Sequence, residues 1–117
     1  MSRNSAGTRR EAGVSAPAED QLMVTGAVDP DNVIALRADG ERLIRASRPI
    51  AQADGSNPVV TVQLDALDTA SSVVLSLLLN WQRVALSQNR QLVFSGVSER
   101  LRSLAALSGL HRHLSGF

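Results

Sequence analysis

The 117-residue chain contains no cysteine, no lysine and no tyrosine. Without thiols it has no disulfide, no thiolate nucleophile and no Cys-type zinc site. Aromatics make up 3% of the residues, one Trp and two Phe, so its core must be aliphatic: Leu, Val, Ile and Ala. Long apolar runs are missing too. The longest, Val73–Leu79, is interrupted by Ser76 and is far too short to span a bilayer. Arg3, Arg9 and Arg10 near the N-terminus are followed by no apolar segment, so a secretory signal is not expected. A cytoplasmic protein without direct membrane insertion is the expectation. Nor is there a large excess of either charge: 12 Arg stand against 11 acids for a formal charge of +1, which does not point to nucleic acid. The charge is unevenly placed, however. Residues 1–65 carry seven Arg and nine acids, whereas residues 66–117 carry five Arg and two acids. A solvated basic face on the last helices, or a surface for an acidic partner, would account for the second half.

What is present is the material of one small α/β domain. Residues 1–10 are polar and Arg/Ser-rich and read as a disordered tail, leaving 11–117 as a single domain. Glu11–Ala18 reads as an edge strand, since Pro17 cannot donate to a central ladder. Glu19-Asp20 is a turn, and Gln21–Gly26 a better strand. Asp29-Pro30-Asp31-Asn32 supplies helix-start chemistry for a helix over about 32–46, with Val33, Leu36, Leu43 and Ile44 on one face. Residues 48–58, with Pro49, Gly55 and Pro58, form a loop. The β-branched run from Val59 to Leu64 is a buried strand. A helix is predicted over 73–87, a strand over 91–95, and a helix over 99–107 capped by Ser98, with Gly109 past its end. The order β, β, α, β, α, β, α implies parallel crossovers in a small mixed, mostly parallel sheet flanked by three to four helices.

The central helix is apolar over much of its circumference. Val74, Leu78, Trp81 and Ala85 form one stripe, Leu75, Leu79 and Leu86 a second, and Val73, Leu77 and Val84 a third. A helix lying on a sheet needs a stripe of about 100°. The surplus is covered either by neighbouring helices or by another protein. Trp81 is the residue to watch, because Trp is enriched at interface hot spots. Arg90 is taken as an ordinary surface position.

Groups for catalysis are few. His111 and His113 stand two apart and do not share a helical face, and no carboxylate cluster neighbours them to make a metal site. Asp65 and Asp68 in a strand-to-helix loop read as turn or cap residues. There is no Gly-rich phosphate loop and no plausible Ser/His/Asp order. A binding or regulatory domain is expected, with no enzymatic activity, no cofactor and no metal.

The residues VVTVQLDALDTASSVVLSLLLNW, then QLVFSGVSERLRSLAALSGL, resemble the STAS domain family of sulfate transporters and anti-sigma factor antagonists. The likeness covers roughly 20–110. The family's signature places Asp-[Ser/Thr] at the start of a Leu-rich helix. Two registers are open here, on Asp68-Thr69 or on Ser71-Ser72. The second needs no gap from Val62 to Val97. In it Ser71 replaces the signature Asp, Gln63 replaces the strand-end Asp, and Val73 takes the position phosphorylated in anti-sigma antagonists. In the first, Ala70 takes that position. Neither can accept phosphate, so no phosphosite is expected there; Thr69, Ser71 and Ser72 remain as acceptors off that position. LLLNWQRVA and the segment after it look most like MlaB-type STAS subunits. The resemblance implies a STAS fold and a non-enzymatic accessory subunit on the ATPase of an Mla-type phospholipid-transport ABC system. The implied contact surface is Asp29, Ser71, Ser72, Val73, Trp81, Gly96 and Val97. An anti-sigma factor antagonist in a phosphorylation-controlled partner switch is the alternative. The sequence is compatible with a monomer or a homodimer.

Overall fold

A computed structural model describes residues 12–117. The tail expected over 1–10, and Glu11 at the start of the first strand, lie outside the described residues. The elements run β1 (Gly13–Ala18), β2 (Gln21–Thr25), α1 (Val33–Ala46), β3 (Val59–Gln63), α2 (Ser72–Ser87), β4 (Gln91–Ser95) and α3 (Glu99–Leu107). A short 3-10 helix at Leu110–His113, not expected from the sequence, follows Gly109, whose φ of 72° turns the chain out of α3.

The sheet order is β1-β2-β3-β4. β1 pairs antiparallel with β2 through the Glu19-Asp20 turn, and its register shifts between Ser15 and Ala18, around Pro17. β2–β3 and β3–β4 are parallel. Both crossovers step the same way across the sheet. Right-handed connections then put α1 and α2 on the same face. The strand patterns follow from that. Leu22 and Val24, Val60 and Val62, and Leu92 and Phe94 are buried toward the helices, while the alternate residues are half-covered or, at Gln91, exposed. On the open face Gln63 Nε2 donates to Gln21 Oε1 at 2.8 Å, tying β3 to β2.

The core is aliphatic, with Trp81 and Phe94 the only two aromatic rings among its fully buried residues. On α2 the stripe of Val74, Leu78, Trp81 and Ala85 is completely buried, with Leu75 and Leu77. Val73, Leu79 and Val84 are half-covered, packed against the core from its margins. Neighbouring elements therefore cover most of the surplus apolar surface; Leu86 stays exposed. The α1–α2 contact is close because α1 carries Gly40 where Trp81 lies: a Cβ there would stand 2.1 Å from Trp81 Cε2. The indole N–H donates to the Arg37 carbonyl at 3.1 Å.

Candidate docking site

Parallel strands followed by helices gather their C-terminal ends and the helix N-termini along one rim of the sheet. Short-range chemistry shapes each of the three helix starts. At α1, Asp29 Oδ1 accepts from the N–H groups of Asp31 (2.8 Å) and Asn32 (2.9 Å), while Asn32 Oδ1 accepts from Asp29 N–H at 2.9 Å. At α2, Ser71 is extended and its Oγ accepts from Val74 N–H at 3.4 Å. At α3, Ser98 Oγ accepts from Leu101 N–H at 3.1 Å. The Ser71 and Ser98 caps answer unpaired first-turn amides of α2 and α3, while the Asp29–Asn32 bonds shape the turn that leads into α1.

The rim is also tied sideways. Gly26, at φ 80°, donates its N–H to the Ala66 carbonyl (3.0 Å), and its own carbonyl accepts from Asp68 N–H (2.8 Å). Thr69 Oγ1 accepts from Val28 N–H at 3.0 Å. The β3–α2 loop is thereby fastened along the end of β2. On its other side, Gly96 at φ 69° leaves room for the Asp65 carboxylate; a Cβ there would lie 2.2 Å from Asp65 Oδ1. Gly26, Asp65 and Thr69 escaped sequence reasoning as rim residues. The only signals were a glycine at a strand end and a polar loop of unknown course.

Ser72 occupies the first turn of α2 and is exposed, with no acidic residue in that turn. Ser71 and Val73 are half-buried beside it, as is Val97, while Gly96 is exposed. Between α1 and α2 runs a groove of about 280 Å³, lined by Val33, Ile34, Arg37, Val73, Ser76, Leu77 and Asn80. Ile34 on its lip is 77% exposed. On the α3 side a shallower hollow is lined by Ala70, Glu99, Arg100, Ser103, Leu104 and Leu107, the last 87% exposed. The first turn of α2 is thus a ridge between two partly apolar depressions.

Two of the expected contact residues carry structural roles. Trp81 is 0% exposed, beneath α1, and does not reach this surface. Its size and its N–H are spent on Gly40 and the Arg37 carbonyl. Asp29 is half-buried and shapes the start of α1 with its carboxylate.

A family model described as "Mlab, STAS domain" matches residues 13–116. The chain belongs to the STAS domain family. No curated protein matches it significantly. Its fold is similar to that of the unphosphorylated anti-sigma factor antagonist SpoIIAA, with a TM-score of 0.64 and 16% identity over 89% of this chain and 85% of that one.

STAS domains are protein-interaction modules. Among the described residues no group of three or more His, Cys, Asp or Glu could hold a metal ion. His111 and His113 are exposed on the 3-10 helix, away from the strand ends that form the rim. No described helix is long and apolar enough to cross a membrane. The base of the α1–α2 groove has its own charge lattice. Asn80 Nδ2 donates to Glu41 Oε2 at 2.7 Å, Arg37 Nε to the same oxygen at 3.2 Å, and Arg45 lies 3.6 Å from Oε1. The Asn80 hydrogen bond, helped by the two arginines, holds the Glu41 carboxyl below its ordinary range.

Proposed function

We propose that this STAS domain is an MlaB-type accessory subunit. In this reading it binds the ATPase of a phospholipid-transport ABC system that maintains outer-membrane lipid asymmetry. It sits in the cytoplasm, reaches the inner membrane only through that partner, and catalyses nothing. The observation that carries the reading is the ridge: an exposed small hydroxyl, Ser72, at a helix start, flanked by the apolar residues Val33, Ile34, Val73 and Leu77. The description of the matching family model supports it. Ser71 caps α2, a task equally suited to the Asp of the family signature. That supports the register on Ser71-Ser72, in which the family's phosphorylated position is Val73. A domain without an acceptor there acts by mass action: bound to one conformation of the ATPase more tightly than another, it shifts that equilibrium by its differential affinity.

The contact surface of this proposal is Ser71, Ser72, Val73 and the Gly96–Val97 turn, with Asp29 at its margin and the α1–α2 groove as its apolar part. Replacing Ser72 by Arg tests it. Bulk and charge at the positive end of the helix dipole cost the fold about 0.3–1 kcal/mol. Burying that charge in an interface costs about 2–5 kcal/mol. Ser72→Arg is therefore expected to melt near wild type yet bind the ATPase at least about tenfold more weakly in a titration. Gln88→Ala, exposed at the far end of the same helix, is the control. Normal binding by Ser72→Arg would place the docking surface elsewhere.

The exposed Ser72 hydroxyl also suits the second reading, an anti-sigma antagonist released by phosphorylation. Incubation with host extract and labelled ATP separates the two. The accessory-subunit reading expects no phosphate on residues 69–76, and stoichiometric phosphate on Ser71 or Ser72 would favour the switch.

A further inference from the structure

β4 is the last strand of the sheet, with no fifth strand beyond it among the described residues. Its outer edge is nevertheless covered. Gln91 N–H donates to Pro58 and the Ser95 carbonyl accepts from Leu64, so residues 91, 93 and 95 point their backbone groups toward β3. Leu92 and Phe94 point theirs outward. Phe94 N–H donates to the Ser115 carbonyl at 2.8 Å. Leu114 is buried beside it, and the Phe117 ring meets Phe94 edge-on, with centroids 5.8 Å apart. Between them Gly116 lies at φ 101°, so close that a Cβ would come 2.0 Å from the Phe94 carbonyl oxygen. Only glycine allows this approach. Upstream, Gln82 Nε2 donates to the His113 carbonyl and anchors the segment on α2.

An uncovered edge strand is a template for another strand. We propose that the β4 edge is a self-association surface that the chain's own residues Leu114–Phe117 keep closed. The occupant it fits once open is a second copy of β4. The backbone orientation dictates the register. A two-fold pairing that uses the outward groups of Leu92 and Phe94 sets Leu92 opposite Phe94 of the second copy and Val93 opposite itself. Val93 is then a non-hydrogen-bonded pair, with Cα atoms about 4.5 Å apart. The two four-stranded sheets become one continuous sheet, and the apolar faces beneath Leu92 and Phe94 stay on their own helices.

The test uses the full chain and takes advantage of its lack of cysteine. Gly116→Val cannot lie against Phe94 and should release the cover. By sedimentation or light scattering across a concentration series, its dimerisation constant is expected to be at least about tenfold more favourable than wild type. Val93→Cys in the Gly116→Val background should oxidise to a disulfide dimer, because about 4.5 Å between Cα atoms is within bridging range. Val93→Cys alone should stay monomeric. A folded Gly116→Val protein no more dimeric than wild type overturns the proposal, and so does a dimer that Val93→Cys does not cross-link. If Gly116→Val shows no native melting transition, Phe117→Ser, which loses the ring contact without backbone strain, decides by the same two readouts.

Discussion

The outer side of the first turn of α2 and the inner stripe of its later turns do opposite things. At its start, Ser71, Ser72 and Val73 stand on a ridge with open depressions on both sides. One to three turns on, Leu78, Trp81 and Ala85 are sealed against the sheet and α1. The difference lies in what faces each turn. Gly40 lets the α1 backbone close over Trp81, whereas in the first turn of α2 Val74 and Leu75 face the core and leave Ser72 exposed and Val73 half-covered. A helix apolar most of the way round therefore need not be an interface all along. It is anchor where a small residue lets its neighbour approach, and surface where none does.

The sharpest way to break this contrast is to remove the anchor. Trp81→Ala is expected to cost about 3–5 kcal/mol of stability by urea denaturation, against less than about 1 kcal/mol for Ser72→Arg. Equal losses would mean that the ridge is as structural as the anchor. A subtler attack fills the space that Trp81 needs. Gly40→Ala gains about 1 kcal/mol in helix propensity, but overpacking costs about 1–3 kcal/mol. With the added carbon 2.1 Å from a rigid ring, the clash prevails, and a net loss of up to about 2 kcal/mol is expected. A stabilised variant would show that α1 can lift away from α2. The smallest effect concerns Glu41, which joins α1 to Asn80 on α2. Its folded pKa lies below the ordinary 4.5. The stability it contributes is thus fully present above the unfolded value and is lost as pH falls through the folded one. Wild type is expected to lose thermal stability more steeply than Glu41→Gln on acidification below about pH 4.5, the two curves running parallel at neutral pH. Identical acid profiles would remove Glu41 from the account.

Most of the fold could be read locally. The β-branched run before Leu64, the capping serines 71 and 98, and Gly109 beyond α3 each act within a few residues of themselves, so their roles show in the string. Pro17 marked an edge strand for the same reason. Roles that depend on a distant partner did not show. Trp81 read as a hot spot because nothing in its own helix says that Gly40 will lie opposite. Arg90 read as bland surface, yet its guanidinium donates to the carbonyls of Ile44 (3.1 Å) and Ser47 (2.9 Å) and closes the end of α1. The cover over β4 was invisible as well, since Gly116 and Phe117 gain meaning only beside Phe94. At the candidate site, the exposed hydroxyl of Ser72 was legible from its place at a helix start, while the cross-ties through Gly26 and Thr69 needed the loop's path.

The strand order has a consequence for how the molecule is made. Each strand lies beside the one synthesised just before it, and none has to slip between two already in place. During translation the β1–β2 hairpin can form first, β3 can join at the free side of β2 once α1 has crossed over, and β4 can join last in the same direction. The growing sheet always presents its unfinished side to the segment that emerges next. Pulse-labelling of amides during refolding should accordingly find Thr61, whose N–H donates to the Asp20 carbonyl at 2.9 Å on the β2 side, protected no later than Phe94, whose outward amide waits for residues 114–117.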